Sequence, residues 1–203
     1  MSLALTRENY SNWAGLSYTV ANGTMLFKGV IENATQTGDL DLSSLDDDPF
    51  ALCTGVILTT AAGTMAMAKS NLANAFAMGL NVTANCLLTT KFILEGNVKS
   101  AIGATMGLVS SLYTAYNYTK AAISDVKDKR TEVSESFADN KQGILKKYPF
   151  LPSGILNVCS SIFIMNGSIE AGDNVMTFIS GAWLVGSAFQ TFSKKKGKQA
   201  QPV

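Results

Sequence analysis

The chain offers few residues that could perform covalent or proton-transfer chemistry. None of its 203 residues is histidine, so the commonest general base and metal ligand is missing. The three cysteines, Cys53, Cys86 and Cys159, stand far apart and form no CxxC or other metal-ligand spacing. They read as buried, inert thiols. Asp39, Asp41 and Asp46 to Asp48 gather enough carboxylates to attract a divalent cation, but not in the order of a calcium-binding loop. The simpler reading is a solvated acidic loop whose last member, Asp48, caps a helix beginning at Pro49. No phosphate loop, nucleophile elbow or haem ligand set is present. These residues imply a protein that is not an enzyme, with no cofactor and no metal site.

Neutral polar residues remain. Asn81 and Asn85 are four apart, so they share one face of a helix. With Asn157 they are expected in a polar interior, either bonding between helices or lining a path for a neutral solute. Gly103 and Gly107 form a GxxxG pair, and Ala182 and Gly186 a second pair of small residues at the same spacing. Both pairs permit close helix packing, within one bundle or against a partner. Lys194, Lys195, Lys196 and Lys198 are placed to meet anionic lipid headgroups. Six N-x-Ser/Thr triplets occur, of which only that at Asn33 falls in a predicted outer loop.

The elements that must position these residues are defined by where charge is absent. The chain carries 16 basic and 15 acidic residues, and every one lies outside six runs at 9–27, 49–68, 70–90, 100–119, 148–169 and 174–193. A helix rises about 1.5 Å per residue, so runs near 20 residues match a hydrocarbon core of about 30 Å. Mean hydropathy is only +0.17, because the runs are rich in Gly, Ala, Ser, Thr and Asn. Uncharged polar groups cost far less in a bilayer than ions and can bond to neighbouring helices. The expectation is an all-α polytopic membrane protein, a bundle of about six short transmembrane helices. It forms a single membrane domain over 1–203. A soluble Ala/Ser-rich helical protein is the competing reading.

Topology follows from the basic residues. If all six runs cross, thirteen of the sixteen lie on one side, and only Lys28, Lys91 and Lys99 on the other. Basic residues are retained on the cytoplasmic side, so both termini are predicted cytoplasmic in a multi-pass protein of the cell (inner) membrane. The same side then holds the charged loop 120–147 and the basic tail 194–203. Val126, Val133, Phe137 and Ile144 recur in that loop at roughly helical intervals, suggesting a surface helix ended by Pro149 and Pro152. Each half of the chain reads run, long charged loop, run, tight turn, run. That order allows two inverted three-helix repeats.

Two functions fit these features. One is a non-catalytic membrane subunit of a larger assembly, such as a secretion or energy-transducing complex, held by lipid, by other membrane subunits or by self-association. The alternative is a channel or carrier for a small neutral solute. A near-neutral net charge gives no reason to expect nucleic-acid binding. A secreted helical protein that enters a host membrane is a third possibility.

Overall fold

The computed structural model describes residues 10–67, 70–128 and 151–192. All regular structure among them is helical. The elements are α1 (Tyr10–Leu26), α2 (Lys28–Thr37), a 3-10 turn (Leu42–Asp46), α3 (Pro49–Met67), α4 (Asn71–Leu94), α5 (Val98–Asp128), α6 (Leu151–Ala171) and α7 (Asn174–Phe192). Six of these helices coincide with the six uncharged runs.

Helix ends are set by local chemistry. The Asp48 carboxylate accepts from the Ala51 N–H at 2.9 Å, capping α3 just before Pro49. Ser70 caps α4 through the Ala73 N–H, and Asp173 caps α7 through the Met176 N–H at 2.7 Å. The α4–α5 and α6–α7 turns share one device. Gly96 and Gly172 take left-handed backbone angles (φ 70° and 72°), and the next residue, Asn97 or Asp173, returns its N–H to a carbonyl five residues back. Only glycine adopts that conformation at low cost.

The segment 28–48 is not an open loop. It holds α2 and the 3-10 turn, which fold over one end of the molecule against α3 and α7. Gly29 lets them approach, since a Cβ there would lie 2.2 Å from the Ser44 carbonyl oxygen. Helix α5 runs nine residues past its uncharged stretch, to Asp128, because nothing in Lys120-Ala-Ala-Ile breaks a helix. Pro152 sits in the first turn of α6, where its missing N–H costs nothing. Val133, Phe137, Ile144 and Pro149 lie outside the described residues, as do Lys69 and the tail with Lys194, Lys195, Lys196 and Lys198.

The six long helices close on themselves. Helix α1 packs on α3, α3 on α4, α4 on α5, α5 on α6, α6 on α7, and α7 back on α1. Chain neighbours are thus ring neighbours, and the first and last helices complete the circle. Small residues set the spacing. A Cβ at Gly103 would fall 2.7 Å from the Ser160 carbonyl oxygen, and one at Gly107 would fall 2.4 Å from Asn85 Oδ1. The GxxxG pair therefore lies against α6 and α4, inside the bundle. Gly186 faces the Tyr18 ring of α1, and Ala182 packs beside the buried core. Tyr10 and Trp13 near the start of α1 meet Phe189 of α7 at ring separations of 5.2 and 6.3 Å.

Many small polar side chains are buried beside the apolar core, and large apolar ones lie outside. Ser100, Ser110, Ser168, Ser180, Ser187 and Thr54 are almost completely buried, while Val56, Phe76, Ile102, Val109, Ile155, Phe178 and Val185 lie exposed on the outer faces. Cys53 and Cys86 are also exposed, which corrects the expectation of buried thiols. Both sit on the outward side of the ring, where larger apolar residues lie. By length and composition, two helices are apolar enough to cross a membrane, α3 and α7. In the other four, amides, hydroxyls, charged ends and glycines lower the average hydropathy.

A neutral polar cavity closed at one end

All six long helices line a central cavity of about 220 Å³. Its position is regular. Helices α3, α5 and α7 start at the same end, and each meets the cavity nine residues in: Leu58 after Pro49, Gly107 after Val98, Trp183 after Asn174. Each leaves it sixteen residues in, at Met65, Thr114 and Gln190. At about 1.5 Å per residue, the cavity begins some 14 Å below that end. On α6 the lining extends to Ser153, the third residue of the helix, so the cavity reaches towards the opposite end.

Every lining side chain is uncharged. Asn81, Asn85 and Asn157, expected from sequence to be interior, all line it, with Asn22, Gln190 and hydroxyls from α5 and α6. Several of these groups are held by bonds between helices. Trp183 donates its indole N–H to Asn22 Oδ1 at 3.1 Å, and Asn22 donates to the Leu58 carbonyl at 3.5 Å. Tyr18 on α1 donates to Gln190 at 2.9 Å and lies 3.1 Å from the Ser187 hydroxyl, tying α1 to α7. Ser110 donates to the Ser153 carbonyl at 3.0 Å across α5 and α6. Asn85 donates to the Asn81 carbonyl at 2.8 Å and to Ser111 at 3.2 Å. Tyr18, Trp183 and Gln190 were not singled out in the sequence. The i, i+4 register of Tyr18 with Asn22 is the signal that could have found the first.

Between the cavity and the nearer end lies an apolar layer. Met25, Leu88, Phe92, Ile164, Met176 and Ile179 pack there with three alanines. Phe92, Met25, Ile164, Met176 and Ile179 are among the largest fully buried side chains. Beyond them stands a cluster of charge. Lys28 pairs with Glu32 and lies 3.4 Å from Asp48 and 3.2 Å from Asp173. Lys91 of α4 pairs with the same Asp48 and lies 3.6 Å from Glu95. The ammonium groups of Lys28 and Lys91 are buried, which ions tolerate only when well paired. One lysine thus joins the caps of α3 and α7, and a second ties α4 to the cap of α3.

The electrostatics follow from this arrangement. Burial works to lower the Lys28 ammonium, but Glu32, Asp173 and Asp48 outweigh it and hold its pKa above the ordinary 10.5. Burial works to raise the Asp48 carboxyl, but Lys91, the Ala51 N–H and Lys28 outweigh it and hold the pKa below the ordinary 3.8. Both groups are therefore ionised near neutral pH.

The acidic segment is used structurally. Asp41 caps the 3-10 turn through the Ser43 N–H at 2.9 Å, and Asp48 serves the ion cluster. Among the described residues, no three acidic, cysteine or histidine side chains converge on one point as metal ligands would. A second cleft, about 390 Å³, runs along the outer surface between α4 and α5 and is lined by Phe92, Ile93, Val98, Ile102 and other apolar groups. It offers little polar chemistry. Comparison with protein families, with curated proteins and with solved structures finds no match to this chain.

Proposed function

We propose that the chain is a multi-pass membrane protein whose six-helix ring carries a small neutral solute across the bilayer. One observation carries the proposal above the others: a polar but wholly uncharged cavity, lined from all six helices, is closed at one end and extends towards the other. A scaffold subunit has no need of such a space. A transporter that alternates between two openings requires it.

The membrane setting is supported by the polarity of the ring. Large apolar side chains are exposed on its outside, and many small polar side chains are buried inside beside an apolar layer. In water such apolar surface favours association, whereas in a bilayer it faces acyl chains and the internal hydrogen bonds hold the helices together. The described charges of Lys28, Glu32, Asp48, Lys91 and Asp173 gather at one end of the ring rather than along its walls, which supports full crossing. The thirteen-to-three division of basic residues supports a topology with both termini cytoplasmic and the Lys28–Asp48–Lys91–Asp173 cluster on the outer side. The cavity then faces inwards, and the apolar layer with its ionic cover forms the outer closure.

The neutral lining supports a neutral cargo. An ion entering would lose its hydration without gaining a countercharge, at a cost of several kcal/mol or more. A neutral solute needs only exchange its water hydrogen bonds for those of amides and hydroxyls.

The experiment is solute flux into vesicles reconstituted with the full chain and followed by light scattering after an osmotic step. Faster entry of glycerol or xylitol than into empty vesicles, with no faster entry of potassium chloride, is the expected result. Equal rates with and without protein for all neutral probes would return the balance to a subunit role.

A further inference from the structure

Resting on the carrier reading, we infer that the solute is a small polyol or monosaccharide, a molecule with a C–H face and a hydroxyl edge. The cavity has two unlike walls. One is apolar, with Leu58, Ala62 and Met65 of α3, Met78 of α4 and the indole of Trp183 on α7. The other is built of amides and hydroxyls from α1, α4, α5, α6 and α7. A solute that is apolar throughout would strand the second wall, and one that is polar on all sides would strand the first.

The polar wall keeps hydrogen-bonding capacity in reserve. The Asn157 amide and the Ser160 hydroxyl line the cavity and bond to no described residue. Asn85 has committed its amide N–H groups to the Asn81 carbonyl and to Ser111, and no donor among the described residues reaches its Oδ1 or that of Asn81. The reserve therefore holds donors and acceptors together, since Asn157, Ser160 and the second Asn81 N–H can donate. Hydroxyl groups match it, because each donates once and still accepts. The volume is right as well. The space, about 220 Å³, is far more than one water needs and admits a small organic solute. The flat face of Trp183, fixed by its bond to Asn22, gives the C–H side of such a molecule a rigid surface.

The test is uptake of radiolabelled xylitol into vesicles bearing the full chain, competed by unlabelled xylitol, myo-inositol or acetamide. Acetamide is neutral and hydrogen-bonds equally well but has no run of hydroxyls. Saturable uptake, reduced by the two polyols and not by acetamide, is expected. Asn157→Leu should raise the half-saturating concentration roughly tenfold. Ser160→Ala, which removes a single oxygen, supplies the same reading if the leucine variant does not fold. Trp183→Leu should lose more than Trp183→Phe, which keeps an aromatic face. Equal competition by acetamide, or indifference to both polar-wall substitutions in folded protein, overturns the polyol assignment and leaves a neutral-solute carrier standing. Failure of labelled xylitol and labelled acetamide alike to enter faster than into empty vesicles overturns both readings.

Discussion

Lys28 places its ammonium 3.2 Å from the carboxylate of Asp173, joining the end of the first long helix to the cap of the last. This contact closes the ring on the side where the cavity is sealed. Asp173 is also bound to the Met176 N–H, so the lysine acts on a carboxylate that already holds α7 in place.

Removing that ammonium should open the closure. Lys28→Met leaves Asp48 and Asp173 partly buried without one of their countercharges, and breaking a buried pair costs about 3 kcal/mol. We expect a clear fall in the thermal unfolding midpoint. Lys28→Met/Asp173→Asn should recover part of the loss by removing one stranded charge. Lys99→Met is the comparison, since the Lys99–Glu170 pair is more than half exposed and such pairs contribute little.

Stability should depend on pH in a defined window. The Asp48 carboxyl is depressed on folding, so its contribution is present above the unfolded value near 3.8 and is lost as pH falls through the lower folded value. The Lys28 ammonium is raised on folding, so its contribution is complete below 10.5 and is lost as pH rises through the higher folded value. Between these limits the two groups add a constant amount. Unfolding midpoints of the detergent-solubilised protein should fall in acid, and Asp48→Asn should flatten that acid limb. An acid limb of unchanged steepness in the variant would assign it to other carboxylates.

Glycine positions should divide into two groups. Gly103→Ala and Gly107→Ala push a methyl against the Ser160 backbone or the Asn85 amide, and overpacking of this kind costs about 1–3 kcal/mol. Gly63→Ala and Gly79→Ala meet no atom within 4 Å and should be neutral or stabilising by up to about 1 kcal/mol, because alanine favours the helix. Chemical or thermal denaturation of the four variants in one detergent makes the comparison.

The main helices were legible because charge marks their ends. Asp48-Pro49 announced α3, and the charge-free runs located the other five within a few residues, save for the nine further residues of α5. Asn81, Asn85 and Asn157 could be placed inside because an amide in an uncharged helix needs partners. The ring itself was not legible. Its closure depends on Tyr18 meeting Ser187 and Gln190, and on Lys28 meeting Asp173, and no local periodicity encodes contacts so distant in the chain. Lys28 and Lys91 were read only as topology markers, and Asp173 was not singled out, since their sequence neighbours do not reveal a shared cluster. The acidic segment concealed α2, because Lys28–Thr37 is short and polar on average and carries charge, so it fell outside the uncharged runs. The thiols of Cys53 and Cys86 were assigned to the interior by a rule for water-soluble cores, which a ring with apolar outer faces does not obey.

The most direct test of a membrane-embedded ring around a polar space compares two thiols on neighbouring helices. Ser111→Cys, made in a chain whose three native cysteines are replaced by alanine, puts a thiol in the cavity. Restoring Cys86 alone puts one on the outer face. In membranes opened at the cytoplasmic side, a small uncharged, water-soluble methanethiosulfonate reagent should modify the cavity thiol, where water permits the reactive thiolate, and leave Cys86 unreacted. Ready modification of Cys86 with protection of the cavity thiol would contradict the arrangement, because the outer face would then meet water and the interior would not.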